Sequence, residues 1–160
     1  LRETAKSDRL LVAATDFPQE HPRFSDPLTF ETRWAGGGCL LLPVAEVLRI
    51  GGFEPALDRL AAVDLSWRAR QAGLGVKTCP SALYVGAQPA PGVEDWVNLA
   101  LLREGHVLAR LWGAGQAAET IAAEIRRHGA DVPVAPADRF GRDPSFADWS
   151  HGFGFAPARW

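Results

Sequence analysis

Methionine is absent from this chain of 160 residues, and tyrosine occurs once. No apolar run approaches the roughly 18 or more residues of a membrane-spanning helix, so no transmembrane segment is expected. Strong charge of either sign is also lacking, since 17 basic and 19 acidic residues leave a net charge of −2. With no basic cluster, that balance excludes the electrostatic footprint of a nucleic-acid binder. Cysteine is limited to Cys39 and Cys79. Neither stands in a CxxC or Cys/His spacing, so no zinc site is expected. Both lie in apolar, strand-like runs and read as small buried hydrophobes. A disulfide between them stays open if the strands are neighbours, although a cytosolic protein rarely keeps one. The chain starts at Leu1, and its polar opening, Leu1-Arg2-Glu3-Thr4, has no signal-peptide pattern. It reads as a trimmed chain or a segment of a longer protein.

Several chemical signatures are missing as well. Gly36, Gly37 and Gly38 lead into a strand rather than a helix, so the phosphate-cradling and dinucleotide fingerprints are absent. Ser66 and Ser150 lack a nucleophile-elbow context. The four histidines, His21, His106, His128 and His151, share no ligand spacing. His128 fits the last turn of a helix, where the dipole favours it, and His106 reads as a packing or surface residue.

What remains is an ordinary globular composition, 47% hydrophobic and 22% charged, long enough for a real core. Leu1–Ser7 reads as the tail of a helix. Leu10–Ala14 is an apolar run without alternation, as in a parallel or mixed sheet. Asp16–Pro27, with three prolines, predicts a loop. Thr29–Trp34 alternates like a strand, and Cys39–Leu42 predicts an apolar one. Pro43 can open a helix over Val44–Ile50, which Gly51-Gly52 stops. Glu54–Leu60 reads as a loop and Val63–Ala72 as a helix. Gly75–Cys79 predicts a strand closed by Pro80, with Ala82–Val85 as another. After the breaker Ala87–Gly92, the pattern predicts a long helix over Glu94–Trp112. A second, over Ala117–His128, carries the stripe Ala118, Ile121, Ala122 and Ile125. Residues 130–160 predict an irregular tail that packs by its aromatic residues, Phe140, Phe146, Trp149, Phe153, Phe155 and Trp160.

The stretch from Trp34 to Pro80 supports a more specific reading. A Gly-rich strand leads to a short helix and then to Gly51-Gly52-Phe53. A second helix follows, with Ala61-Ala62-Val63-Asp64 at its start and Leu65-Ser66-Trp67-Arg68 continuing it to Gln71-Ala72-Gly73. Pro80-Ser81-Ala82 closes the next strand. This order resembles the C-terminal, acceptor-side half of family 2 glycosyltransferases of the GT-A fold, over about residues 1–112. The resemblance implies an α/β fold: a partial mixed sheet flanked by helices over residues 1–92, a helical extension over 93–129 and the aromatic-rich tail over 130–160.

The chemistry implied is transfer of a sugar from a nucleotide-sugar to an acceptor hydroxyl. An inverting transfer needs a carboxylate to take the acceptor proton and a divalent cation, Mg or Mn, to neutralise the leaving diphosphate. In the family, the base belongs to an acidic pair where this chain has Ala61 and Ala62. The family's metal-holding Asp-x-Asp element would lie upstream of Leu1, and a downstream histidine ligand would fall near Gly86. The chain is therefore expected to retain no metal ligand and no cofactor of its own.

Asp64 is the surviving acid. It reads as a stand-in base, as an acceptor-binding group at the helix start, or as a first-turn acid paired with Arg68 at i+4. Gly36, Gly37, Gly38, Trp67 and Arg68 are the candidate acceptor-binding residues, the glycines reading equally as a close backbone approach at a strand. The expected function is that of a glycosyltransferase-like protein inactive as this chain alone. The alternative is a non-catalytic transferase-like domain that binds or regulates a partner. The resemblance implies a nucleotide-sugar, a glycan or lipid-linked acceptor, and a protein partner or missing N-terminal half. The expected location is cytoplasmic, with peripheral membrane attachment left open.

Overall fold

The computed structural model describes residues 10–16, 26, 28–35, 39–84 and 94–141. Its elements are β1 (Leu10–Asp16), β2 (Leu40–Leu41), α1 (Val44–Arg49), α2 (Ala61–Gln71), β3 (Gly75–Tyr84), α3 (Glu94–Leu111) and α4 (Gly115–Arg127). The class is α/β, as the sequence predicts. Two compact units divide the chain: Leu1–Pro55 with Ala61–Gln88, and Ala56–Leu60 with Pro89–Trp160. No described helix is long and apolar enough to cross a membrane.

The first unit is built on a three-stranded mixed sheet in the order β2-β1-β3. β1 runs antiparallel to β2, pairing Val12 with Leu41 and Ala13 with Leu40. It runs parallel to β3 from Leu10↔Gly75 to Ala14↔Cys79. A central strand covered on both faces must be apolar at consecutive positions, and Leu11, Val12 and Ala13 are all buried. Leu11, Ala13 and Val76 from the sheet pack with Val47 from α1 and with Leu65 and Ala69 from α2. The helices thus cover the sheet with the apolar positions that helical spacing brings to one side.

Several sequence expectations are corrected. Pro80 does not close β3, which runs on to Tyr84. The register instead jumps, with Ala14 facing Cys79 and Thr15 facing Leu83. Pro80, Ser81 and Ala82 are the surplus residues of this irregularity, which accommodates a residue with no N–H to give the ladder. Strand β2 spans only Leu40–Leu41, because Pro43 ends the pairing and stands just before α1. Cys39 is consequently exposed rather than buried, while Cys79 is buried, and both are free thiols. Helix α2 begins at Ala61, two residues earlier than predicted, because alanine favours helix.

Thr29–Trp34 forms no full strand. It touches β3 through an isolated bridge, Glu31↔Lys77, with the Thr32 N–H donating to Val76 O at 3.0 Å and the Thr78 N–H to Phe30 O at 2.9 Å. The cause is a tight turn just before it. Asp26 Oδ1 accepts the N–H groups of Leu28 and Thr29, both at 2.8 Å, and Phe30 is driven to φ 57°. The predicted segments Leu1–Ser7, Ala87–Gly92 and residues 142–160 lie outside the described residues, as do Gly36–Gly38, His21, Val85, Gly86 and His151.

The second unit packs α3 against α4. Leu102, Leu108, Leu111 and Trp112 are buried, as are all of the predicted α4 stripe, Ala118, Ile121, Ala122 and Ile125. His106 is buried too, and its Nδ1 lies 3.1 Å from Ala118 O. A carbonyl only accepts, so Nδ1 carries the hydrogen. The described part of the tail returns to α3. The N–H groups of Asp138 and Phe140 donate to Arg110 O and Leu111 O at 2.9 and 3.0 Å, the second of these serving a terminal carbonyl of the kind a helix leaves open. The Phe140 ring lies 5.5 Å from that of Trp112.

Two expectations follow for solution measurements. Ile125→Ala removes a fully enclosed side chain and lowers the stability of the second unit by about 2–5 kcal/mol, read by urea denaturation followed through helical circular dichroism. The Asp26 carboxylate, held by the N–H groups of Thr29 and Leu28, has its pKa lowered below the ordinary aspartate value. Its contribution to turn stability is therefore present above that ordinary value and lost as pH falls through the lowered one. A carboxyl carbon titration by NMR should place its midpoint below that of an unstructured aspartate.

Candidate functional site

The candidate site gathers on α2 and on the turn after α1. Helix α1 ends at Gly51-Gly52, with φ of 97° and 69°. These values suit glycine because no Cβ crowds the backbone. The Gly52 N–H reaches back to Val47 O at 2.9 Å. Phe53 follows and is 47% exposed.

Asp64 lies in the first turn of α2 and Arg68 one turn on, where i and i+4 side chains meet. Arg68 donates to Asp64 Oδ2 from Nε at 2.9 Å and from Nη2 at 2.5 Å. Its Nη1 donates to Ile50 O at 2.8 Å. Ile50 is the residue that closes α1, so the guanidinium ties the end of α1 to the start of α2. The pair is enclosed: Arg68 is 7% exposed and Asp64 0%. An enclosed charge is tolerated only when paired and hydrogen-bonded, and this geometry supplies both.

These positions bear on the readings of Asp64. Its carboxylate sits inside the fold against a cation, as a first-turn acid paired at i+4, and not open to an acceptor hydroxyl. Trp67 is also fully enclosed, so its ring offers no face for a sugar to stack on. Arg68 is occupied with Asp64 and Ile50 O. Ala61 and Ala62, at the positions where the resemblance expects acids, are buried in the first turn of α2. The structure therefore brings Asp64, Trp67 and Arg68 together on one helix as packing and pairing residues. Gly36, Gly37 and Gly38 are outside the described residues.

Ser66 was set aside by the sequence for want of a nucleophile context, and it has a different role. Its hydroxyl donates to Ala62 O at 2.6 Å and accepts the Ala35 N–H at 3.0 Å. It thereby fastens the segment just before Gly36 onto α2. Thr32 adds a bond of its own, from Oγ1 to Trp34 O at 2.9 Å. Side-chain to backbone ties across 31 residues of sequence leave no periodic signal. Only the presence of a small hydroxyl on an otherwise apolar helix face hints at one.

Among the described residues, no group of three His, Cys, Asp or Glu side chains is placed to hold a metal ion. The cation that the resemblance implies therefore has no fitting ligand set in the described part of this chain. Comparison with protein-family models, with curated proteins and with solved structures returns no match.

Breaking the enclosed pair on one side should be severe. Asp64→Asn, which leaves the Arg68 charge buried, should cost about 3–5 kcal/mol, whereas an Asp64→Leu, Arg68→Met double variant should cost markedly less. Equal losses for the single and double variants in a denaturation cycle would show that the pair is not coupled.

Proposed function

We propose that this chain is the acceptor-side scaffold of a glycosyltransferase of the family 2 type, inactive in sugar transfer as it stands. The observation that carries this reading is the state of α2. In the framework that carries the resemblance, Arg68 joins Asp64 to the Ile50 carbonyl just before the Gly51-Gly52-Phe53 turn. The residues that would perform the chemistry are buried methyl groups at Ala61 and Ala62 and an ion-paired carboxylate at Asp64. A base must reach the proton it removes, and a carboxylate enclosed against a guanidinium does not.

In this reading, the nucleotide-sugar, the Mg or Mn ion and the glycan or lipid-linked acceptor belong to an intact transferase of the lineage. The chain supplies the wall on which such a cleft is built, in the cytoplasm or at the membrane surface. A second reading, a non-catalytic domain that binds or regulates a protein partner, is favoured by one further observation. Val44 and Leu48 are 68% and 69% exposed and stand four residues apart on α1, hence on one face.

Calorimetric titration of the chain with UDP and other nucleoside diphosphates in the presence of Mn²⁺ should give no saturable heat. Incubation with nucleotide-sugars should give hydrolysis at the background rate. Turnover that Asp64→Asn abolishes while the fold is kept would overturn the proposal.

A further inference from the structure

Glu104, on α3, makes a contact that the functional reading does not use. Its Oε2 accepts the backbone N–H groups of Asp58 and Leu60, at 2.9 and 3.0 Å, across 46 and 44 residues of sequence. Both donors lie in Ala56–Leu60, a segment that belongs to the second unit although its flanking residues, Pro55 and Ala61, belong to the first. Leu57 and Leu60 are buried, whereas Ala56, Asp58 and Arg59 are exposed. The Glu104 carboxylate thus fastens two backbone donors of the segment to α3 of the same unit. Hydrogen bonds to a charged acceptor are stronger than neutral ones, and backbone donors outside a ladder depend on such partners.

We infer that Ala56–Leu60 is a strap that opens as a cooperative unit of its own, with Glu104 as the positioning residue that keeps it closed. Short segments with few buried contacts open more readily than the helices they lie on. Here α3 and α4 pack along their length, while the strap is a five-residue segment with Ala56, Asp58 and Arg59 exposed. Loss of the Glu104 carboxylate therefore releases the strap and leaves the helix pair folded.

Hydrogen exchange on the complete chain tests this, comparing wild type with Glu104→Ala and Glu104→Gln. In Glu104→Ala the amides of Asp58 and Leu60 should exchange roughly tenfold faster or more, with those of Leu108, Ile121 and Ile125 unchanged. Tryptic cleavage after Arg59 should accelerate in parallel. Glu104→Gln, whose side-chain oxygen still accepts but carries no charge, should fall between the two. If Glu104→Ala does not fold, the Glu104→Gln rates alone decide: selective acceleration at Asp58 and Leu60 supports the strap. Unchanged strap amides would show that Glu104 does not fasten it. Equal acceleration of strap and helix amides would show that it does not open separately.

Discussion

The first unit turns on the contact between the Arg68 guanidinium, the Asp64 carboxylate and the Ile50 carbonyl. Each group alone would be a poor tenant of a protein interior. An unpaired charge there costs several kcal/mol, and a helix-terminal carbonyl needs a donor. Together they satisfy one another, and they do so only if the end of α1 lies beside the first turns of α2. The packing of Val47, Leu65 and Ala69 against Leu11, Ala13 and Val76 supplies non-directional stabilisation that tolerates small slips. The ion pair and its carbonyl are directional and fix which turn meets which helix.

The same contact bears on how the Asp64 motif is read. In the sequence, Asp64 follows two alanines and precedes Leu65 and Arg68, so one motif can be read as catalytic remnant or as helix-start ion pair. The burial of Asp64 and the three donations from Arg68 belong to the second. A residue placed for structure in this way is needed whether or not a neighbouring cleft carries reactive groups. That is consistent with a scaffold that keeps a transferase-like arrangement without its acid–base groups.

Local physics made much of the fold legible in the sequence. The unbroken apolar run of β1 announced a strand covered on both faces. Gly51-Gly52 announced the end of α1, and the spacing of Ala118, Ile121, Ala122 and Ile125 announced the buried face of α4. The pairing of Asp64 with Arg68 was one of the readings left open by their separation alone. What escaped depends on distant parts of the chain. Trp67 could stack on a ligand or fill a core, and its burial is decided by elements the helix cannot see. Pro80 breaks most strands, but a ladder that leaves out three residues accommodates it. Cys39 lies in an apolar run, yet the pairing of β2 stops short of it. Ser66 and Glu104 act on backbone groups far away in sequence, and such ties leave no period to read.

The return of residues 138–140 to the end of α3 bears on how the second unit comes together during synthesis. The Leu111 carbonyl receives a donor that leaves the ribosome only after all of α4 has done so, and the ring beside Trp112 arrives with it. A nascent chain that has completed both helices therefore still holds an unfinished helix end and a partly bare indole. Among the described residues of the unit, the cap on the end of α3 waits on Phe140.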